Sequence, residues 1–230
     1  MSEVEIFSAE VCPYAQRTRM MLIEKDVPFS LREIDLNDKP NWFLEVSPYA
    51  KVPVIRHAGR VVYESAIINE YLDEVFPAPP MMPGEPAERA TARIWIDFMN
   101  MKLLPCFYRL MMAQGADKQA AEADTLRAHF RLMETAMAEE GAGPYWFADQ
   151  LTLVDLALYP WFERLPALEH YRGAVLPENC TRLRSWSDAM DQTKGARETT
   201  NGADYHIKAY VKYADNSADT ISAREFRATA

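Results

Sequence analysis

The feature that most constrains this chain is a change of hydrophobic period across a proline cluster. Pro77, Pro79, Pro80, Pro83 and Pro86 crowd into one short stretch, where the missing backbone N–H groups forbid a helix interior or a central strand. Before it, short β-like runs alternate with helical ones. Beyond about residue 87 almost everything repeats at helical spacing. A single sheet cannot absorb both patterns, so two domains are expected: an α/β unit over 1–77, a linker over 78–86 and an all-helical unit over 87–200. Residues 201–230 form a tail of lower hydrophobicity, helical in part through Ile207, Tyr210, Val211 and Ala214.

In the first unit, residues 4–7 read as a strand, 13–25 as an amphipathic helix and 28–36 as a second strand, a βαβ opening with a parallel pair. A short helix near 41–46 and a loop at 47–51 precede a third strand begun by Val52-Pro53-Val54-Ile55. Residues 60–63 return antiparallel through Ala58-Gly59, and Ser65 caps a helix to Val75. The order is βαβαββα. In the second unit the first helix carries Ile94, Trp95, Phe98 and Met101 on one stripe, and Pro105 is expected to kink or end it. Another helix spans about 120–139. Thr152-Leu153-Val154-Asp155 has capping-box spacing, with Asp at the fourth position, ahead of an apolar run expected to form a buried central helix.

Composition narrows the function. With 49% hydrophobic residues the chain can bury a sizeable core, and no apolar stretch approaches the roughly 18 residues of a membrane span. The opening residues carry Glu3 and Glu5 without a basic head or apolar run, which argues against a targeting segment and for the cytoplasm. A net charge of −9 with scattered Lys and Arg disfavours nucleic acid. Cys12, Cys106 and Cys180 are far apart and odd in number, as in a reduced compartment, and His57, His129, His170 and His206 show no metal-ligand spacing. No metal is expected.

Cys12-Pro13 stands where the first strand hands over to the first helix. A thiol there faces unpaired N–H groups whose partial positive charge favours thiolate, giving a nucleophile near neutral pH; the plain alternative is a small buried hydrophobe. Val52-Pro53 suits either a cis bond that frees backbone groups for a ligand or the start of an edge strand. Glu64-Ser65 reads as a cap or as a carboxylate site at a helix N-terminus.

Taken together, Cys12-Pro13-Tyr14-Ala15-Gln16-Arg17-Thr18-Arg19, Asp38-Lys39-Pro40, Lys51-Val52-Pro53-Val54, Tyr63-Glu64-Ser65-Ala66-Ile67, Glu70-Tyr71-Leu72-Asp73-Glu74 and Pro160-Trp161-Phe162-Glu163-Arg164-Leu165 resemble the cytosolic glutathione transferase family, in its omega-like, cysteine-type class. The resemblance runs from about residue 3 to about 195. It implies a thioredoxin-like N-terminal domain and an all-α C-terminal domain, with Cys12 catalytic. Glutathione, as co-substrate, would be bound by Tyr14, Lys39, Val52 through its backbone, Pro53, Glu64 and Ser65, the last two holding the γ-glutamyl end. Tyr14 replaces the usual phenylalanine.

A cysteine in that place implies thiol transfer: it forms a mixed disulfide with glutathione, which a second glutathione resolves. Ala15 occupies the position of the resolving cysteine in a dithiol enzyme, which leaves the monothiol route. Dehydroascorbate, glutathionylated protein thiols and aromatic glutathionyl ketones are the acceptors the class implies. The acceptor is expected over Cys12, near Tyr108, Met111 and Met112, with Trp161 and Arg164 approaching from the central helix. Two alternatives stand beside this one: a glutathione lyase acting on aromatic α-thioethers, and a non-catalytic glutathione-binding module. The family implies a homodimer.

Overall fold

The computed structural model describes residues 3–228. The outermost ends of the expected first domain and tail, 1–2 and 229–230, lie outside the described residues. The α/β half runs β1 (Val4–Ser8), α1 (Pro13–Glu24), β2 (Phe29–Glu33), α2 (Asn41–Val46), β3 (Val54–His57), β4 (Arg60–Tyr63) and α3 (Ser65–Val75). This is the βαβαββα order of a thioredoxin-like domain. The strands form one mixed sheet ordered β2-β1-β3-β4, with β1 parallel to β2 and antiparallel to β3, and β3 antiparallel to β4.

β1 is central because it is apolar on both faces: Val4, Ile6 and Phe7 are buried. β2 is shorter than its sequence pattern suggested. Its regular pairing ends at Glu33 opposite Ser8, where β1 gives way to the loop leading to Cys12. The β3–β4 turn places Ala58 at φ 50° and Gly59 at φ 73°, the two positive-φ residues of a tight hairpin turn.

The helical half comprises α4 (Pro86–Phe98), α5 (Leu104–Met112), α6 (Ala116–Glu139), α7 (Leu153–Phe162), α8 (Leu165–Arg172), α9 (Thr181–Met190), α10 (Lys194–Thr199), α11 (Ala203–Ala214) and α12 (Ile221–Ala228). Pro105 does not end the first of these. A π-helical segment, Met99–Leu103, joins α4 to α5 just ahead of it, and such a wide turn accommodates the carbonyl that proline leaves unpaired. The expected stripe is also split: Trp95 and Phe98 are half-buried against Trp146 and His129, whereas Ile94 and Met101 are 64% and 63% exposed.

Thr152 and Asp155 form the capping box that starts α7. The buried Asp155 carboxylate also accepts from Trp146 N at 2.7 Å and Trp186 Nε1 at 2.8 Å, so one side chain ties a cap, a loop and α9 together. Every residue of α7 is buried, and the helix lies against α1 of the sheet domain. Arg17 Nε on α1 donates to Ala157 O on α7 at 2.8 Å. The two halves therefore share a core, with a cleft left between the sheet edge and the helices. Among the described residues no helix is long and apolar enough to cross a membrane.

Candidate functional site

Pro13 takes the first helical position of α1 and leaves Cys12 at the N-cap in an extended conformation (φ −82°, ψ 115°). The thiol faces a cavity of about 560 Å³ and lies 3.7 Å from the carbonyl oxygen of Val52, to which it donates. The Val52-Pro53 peptide is cis. Across the cavity, Glu64 adopts φ 70° and ψ 113° at the head of α3, a left-handed backbone that costs a non-glycine residue about 1–3 kcal/mol and typically accompanies a binding function. Ser65 follows as the first residue of α3, buried, its hydroxyl accepting from Arg17 Nη1 at 3.4 Å.

Two helix N-termini, those of α1 and α3, thus open on one cavity. Its wall includes Cys12, Tyr14, Lys39, Val52, Pro53, Glu64 and Ser65. Unpaired N–H groups and helix dipoles converging there favour a small anionic ligand.

Electrostatics correct one expectation. Burial raises the Cys12 thiol above its ordinary value and outweighs the N–H groups of Ala15 and Tyr14 and the charges of Arg164 and Arg19, all of which pull the other way. The helix start lowers the proton affinity, but packing in the cleft more than cancels it. Burial likewise pushes the Tyr14 phenol up, so it remains a protonated donor at neutral pH. Lys39 is lowered by partial burial and by the neighbouring Arg224.

Of the five expected acceptor residues, Tyr108 alone lines the cavity. Met111 and Met112 point into the helical core. Trp161 lies beneath the site, packing edge-on against Tyr14 at 4.9 Å. Arg164 is fully buried and braces the interdomain contact, donating to Gln16 Oε1 at 2.7 Å and to the carbonyls of Pro160 and Val11 at 2.6 and 3.3 Å. An apolar stripe at helical spacing marks a buried face without saying whether a cavity or a core lies behind it.

The rest of the acceptor side comes from the tail. Tyr210 and Tyr213 on α11 and Ser222, Glu225 and Phe226 on α12 complete the wall. Phe226 stacks on Tyr108 with centroids 4.6 Å apart and planes 11° apart, and Tyr108 and Tyr210 share a hydrogen bond of 3.3 Å between hydroxyls. Lys51 Nζ, beside Val52, holds both Glu225 oxygens at 2.7 and 2.8 Å and ties α12 to the sheet domain. The one sequence signal for α12 is the spacing of Ser222 and Phe226, which puts them on one helix face. Cys106 and Cys180 are buried in the helical half, and neither is paired. Among the described residues no group of His, Cys, Asp and Glu is arranged to hold a metal.

The family model described as "Glutathione S-transferase, N-terminal domain" matches residues 11–75, and that described as "Glutathione S-transferase, C-terminal domain" matches residues 116–189. The chain is similar to glutathione S-transferase omega-1 of Sus scrofa, 31% identical over 188 residues that cover 81% of this chain and 76% of that one. Among solved structures it is similar to glutathione transferase Omega 3C from Trametes versicolor, with a TM-score of 0.84, 28% identity and coverage of 95% and 93% of the two chains. A rice glutathione transferase solved in complex with glutathione gives a TM-score of 0.82 at 30% identity, covering 94% of this chain and 98% of that one.

Proposed function

The chain belongs to the glutathione S-transferase family, and on that premise we propose that it is an omega-like thiol transferase with Cys12 as nucleophile. The observation that carries this reading is the Cys12 thiol at the head of α1, in the wall of a cavity that also contains Val52, Glu64 and Ser65. A hydroxyl in that place would keep the glutathione sulfur ionised for conjugation. A thiol is itself the stronger nucleophile and forms a covalent intermediate.

Glutathione lies along the sheet edge, with its cysteinyl part at the Val52 backbone before Pro53, its γ-glutamyl end at Glu64 and Ser65, and Lys39 and Tyr14 as further contacts. The Cys12 thiolate attacks the glutathione sulfur of a mixed disulfide. A new S–S bond forms, the old one breaks, and the acceptor thiolate leaves and takes up a proton. A second glutathione thiolate then attacks the glutathionyl sulfur, releasing glutathione disulfide and the Cys12 thiolate. Ala15 supplies no internal thiol, so resolution comes from outside.

Two substrates that react in alternation predict parallel double-reciprocal lines when glutathione and hydroxyethyl disulfide are both varied. Intersecting lines would mean that both must be bound at once and would count against the covalent cycle.

The aromatic wall of Tyr108, Tyr210, Tyr213 and Phe226 favours a second reading of the same site, a lyase cleaving aromatic α-thioether conjugates. In that reaction the Cys12 thiolate attacks the glutathione sulfur and expels the aryl-ketone carbanion, which is protonated. The remaining cycle is identical. We also propose a cytoplasmic location, where thiols stay reduced, and a homodimer; the exposed Ile67 and Ile94 give such an association apolar surface to cover.

A further inference from the structure

The turn that presents Cys12 is held from behind by two buried guanidiniums. Residues 9–11 link β1 to α1, and Cys12 N donates back to Ala9 O at 3.0 Å. Arg19, on the second turn of α1, donates from Nη1 to Ser8 Oγ at 2.7 Å and to Ala9 O at 3.1 Å, and from Nη2 to Glu10 O at 3.3 Å. Arg164 Nη2 reaches Val11 O at 3.3 Å. Every carbonyl from Ala9 to Val11 therefore accepts from an arginine. Arg19 is 7% exposed and Arg164 fully buried, and a buried cation loses hydration. Neutral donors would hold the same carbonyls at less cost, so the charge itself calls for a reason.

Arg164 has Glu163 beside it at 3.4 Å. Among the described residues no carboxylate comes within ion-pair distance of Arg19, and Glu33 Oε1 accepts instead from Glu10 N at 2.6 Å. Burial is the chief influence on Arg19 and lowers its proton affinity. Of the negative groups that oppose this the Cys12 thiolate is foremost, ahead of Glu33 and Glu10. The influence is mutual, since Arg164 and Arg19 both favour ionisation of the thiol against the burial that opposes it.

The other groups that face Cys12 do not share this place. Burial keeps Tyr14 on α1 and Tyr210 and Tyr213 on α11 protonated. Arg17 directs its hydrogen bonds elsewhere, to Ala157, Asn100 and Ser65. Lys39, Lys51, Glu64, Lys212 and Glu225 line the cavity at more exposed positions, where water and salt screen them.

We propose that Arg19, together with Arg164, is a positioning residue that acts through the Ala9–Val11 turn as the counter-charge of the Cys12 thiolate. This rests on the reading of Cys12 as the nucleophile. Three carbonyl oxygens adjacent in sequence to the sulfur would oppose a negative charge there. Guanidinium protons on each of them remove that opposition and leave net positive charge behind the thiol. The same charge assists the resolving step, in which Cys12 must leave the mixed disulfide as a thiolate.

The test follows iodoacetamide alkylation of Cys12 against pH in the full chain. In Arg19→Gln the profile is expected to move up by about one pH unit, so that near-neutral rates fall about tenfold, the lower end of what one opposite charge does. Arg19→Lys, which keeps the charge and loses the fork, should keep most of the wild-type rate. Calorimetric binding of S-methylglutathione should be kept in both, which separates loss of charge from damage to the cavity.

A folded Arg19→Gln protein with the wild-type profile would overturn the proposal, and so would equal slowing in Arg19→Gln and Arg19→Lys, which would assign the effect to the fork alone. Where Arg19→Gln loses its fold or that binding, the wild-type protein decides. A buried counter-charge leaves its alkylation rate flat as KCl rises from about 0.05 to about 0.5 M, whereas a steep fall assigns the charge to the cavity lysines and overturns the proposal. A charge-dependent Cys12 that forms no adduct with glutathione disulfide would remove the transfer reading and leave the counter-charge standing.

Discussion

Cys12→Ser is expected to lower thiol transfer to hydroxyethyl disulfide by at least about a thousandfold in kcat, the scale on which removing a covalent nucleophile acts. The substitution is nearly isosteric, so the fold and glutathione binding should be kept. The serine hydroxyl is too weakly acidic and too poor a leaving group from sulfur to run the exchange. Retention of more than a few per cent of the activity would show that the chemistry belongs to glutathione's own sulfur, activated elsewhere in the cavity.

The pH dependence follows from the direction of the Cys12 shift. Burial holds the thiol above its ordinary 9.0, so at pH 6 to 8 the thiolate is a minority species and its fraction climbs about tenfold per pH unit. Iodoacetamide alkylation of Cys12 should therefore still be rising at pH 8. A plateau by pH 7 would contradict it. A high proton affinity does not forbid catalysis, because nucleophilicity per thiolate rises along with it and compensates in part.

Glu163→Gln is expected to cost about 3 kcal/mol of stability, or a fall in Tm of about 6–12 °C for a chain of this size. Glu163 sits at the end of α7 with its side chain 6% exposed. It accepts from Asn201 N at 2.8 Å, Thr200 Oγ1 at 2.8 Å and Gln16 Nε2 at 2.5 Å, and lies 2.7 Å from His206 Nε2. Burial alone would raise its carboxyl, but His206, Arg164, Gln16 and the Asn201 N–H prevail and pull it from 4.5 down to about 2.

A depressed carboxylate contributes stability that is fully present above the unfolded value near 4.5 and is lost as pH falls towards 2. The displacement corresponds to roughly 3 kcal/mol, in line with the cost of removing one partner from a buried polar cluster. Denaturant melts of wild type and variant should thus differ most above pH 5 and converge towards pH 2. Parallel curves throughout would show that the cluster is not what holds α1, α7 and the α10–α11 turn together.

Local signals carried much of the architecture. Pro13 marks the start of α1, Ala58-Gly59 the hairpin turn, and Thr152 with Asp155 the head of α7, because each acts through its own backbone neighbourhood; Ser65 does not cap α3 as expected but is its first residue, the N-cap being Glu64. The cavity residues Cys12, Val52, Glu64 and Ser65 were legible for the same reason: all stand at strand or helix ends. What escaped depends on contacts distant in sequence. Phe226 stands among charged residues and joins the wall by packing that includes a stack on Tyr108. Met111 lies on a strongly patterned helix and Arg164 in the turn between α7 and α8, yet which way each faces follows from how α5 and α7 pack. The proton affinity of Cys12 combines a helix start, which is local in sequence, with burial, which is not.

The most direct measurement of the central claim is the intact mass of the protein after incubation with glutathione disulfide. The account predicts a single added glutathionyl group on the wild-type chain, absent from Cys12→Ser and discharged by fresh glutathione. An unmodified wild-type mass, or an equal adduct in Cys12→Ser carried by Cys106 or Cys180, would contradict it.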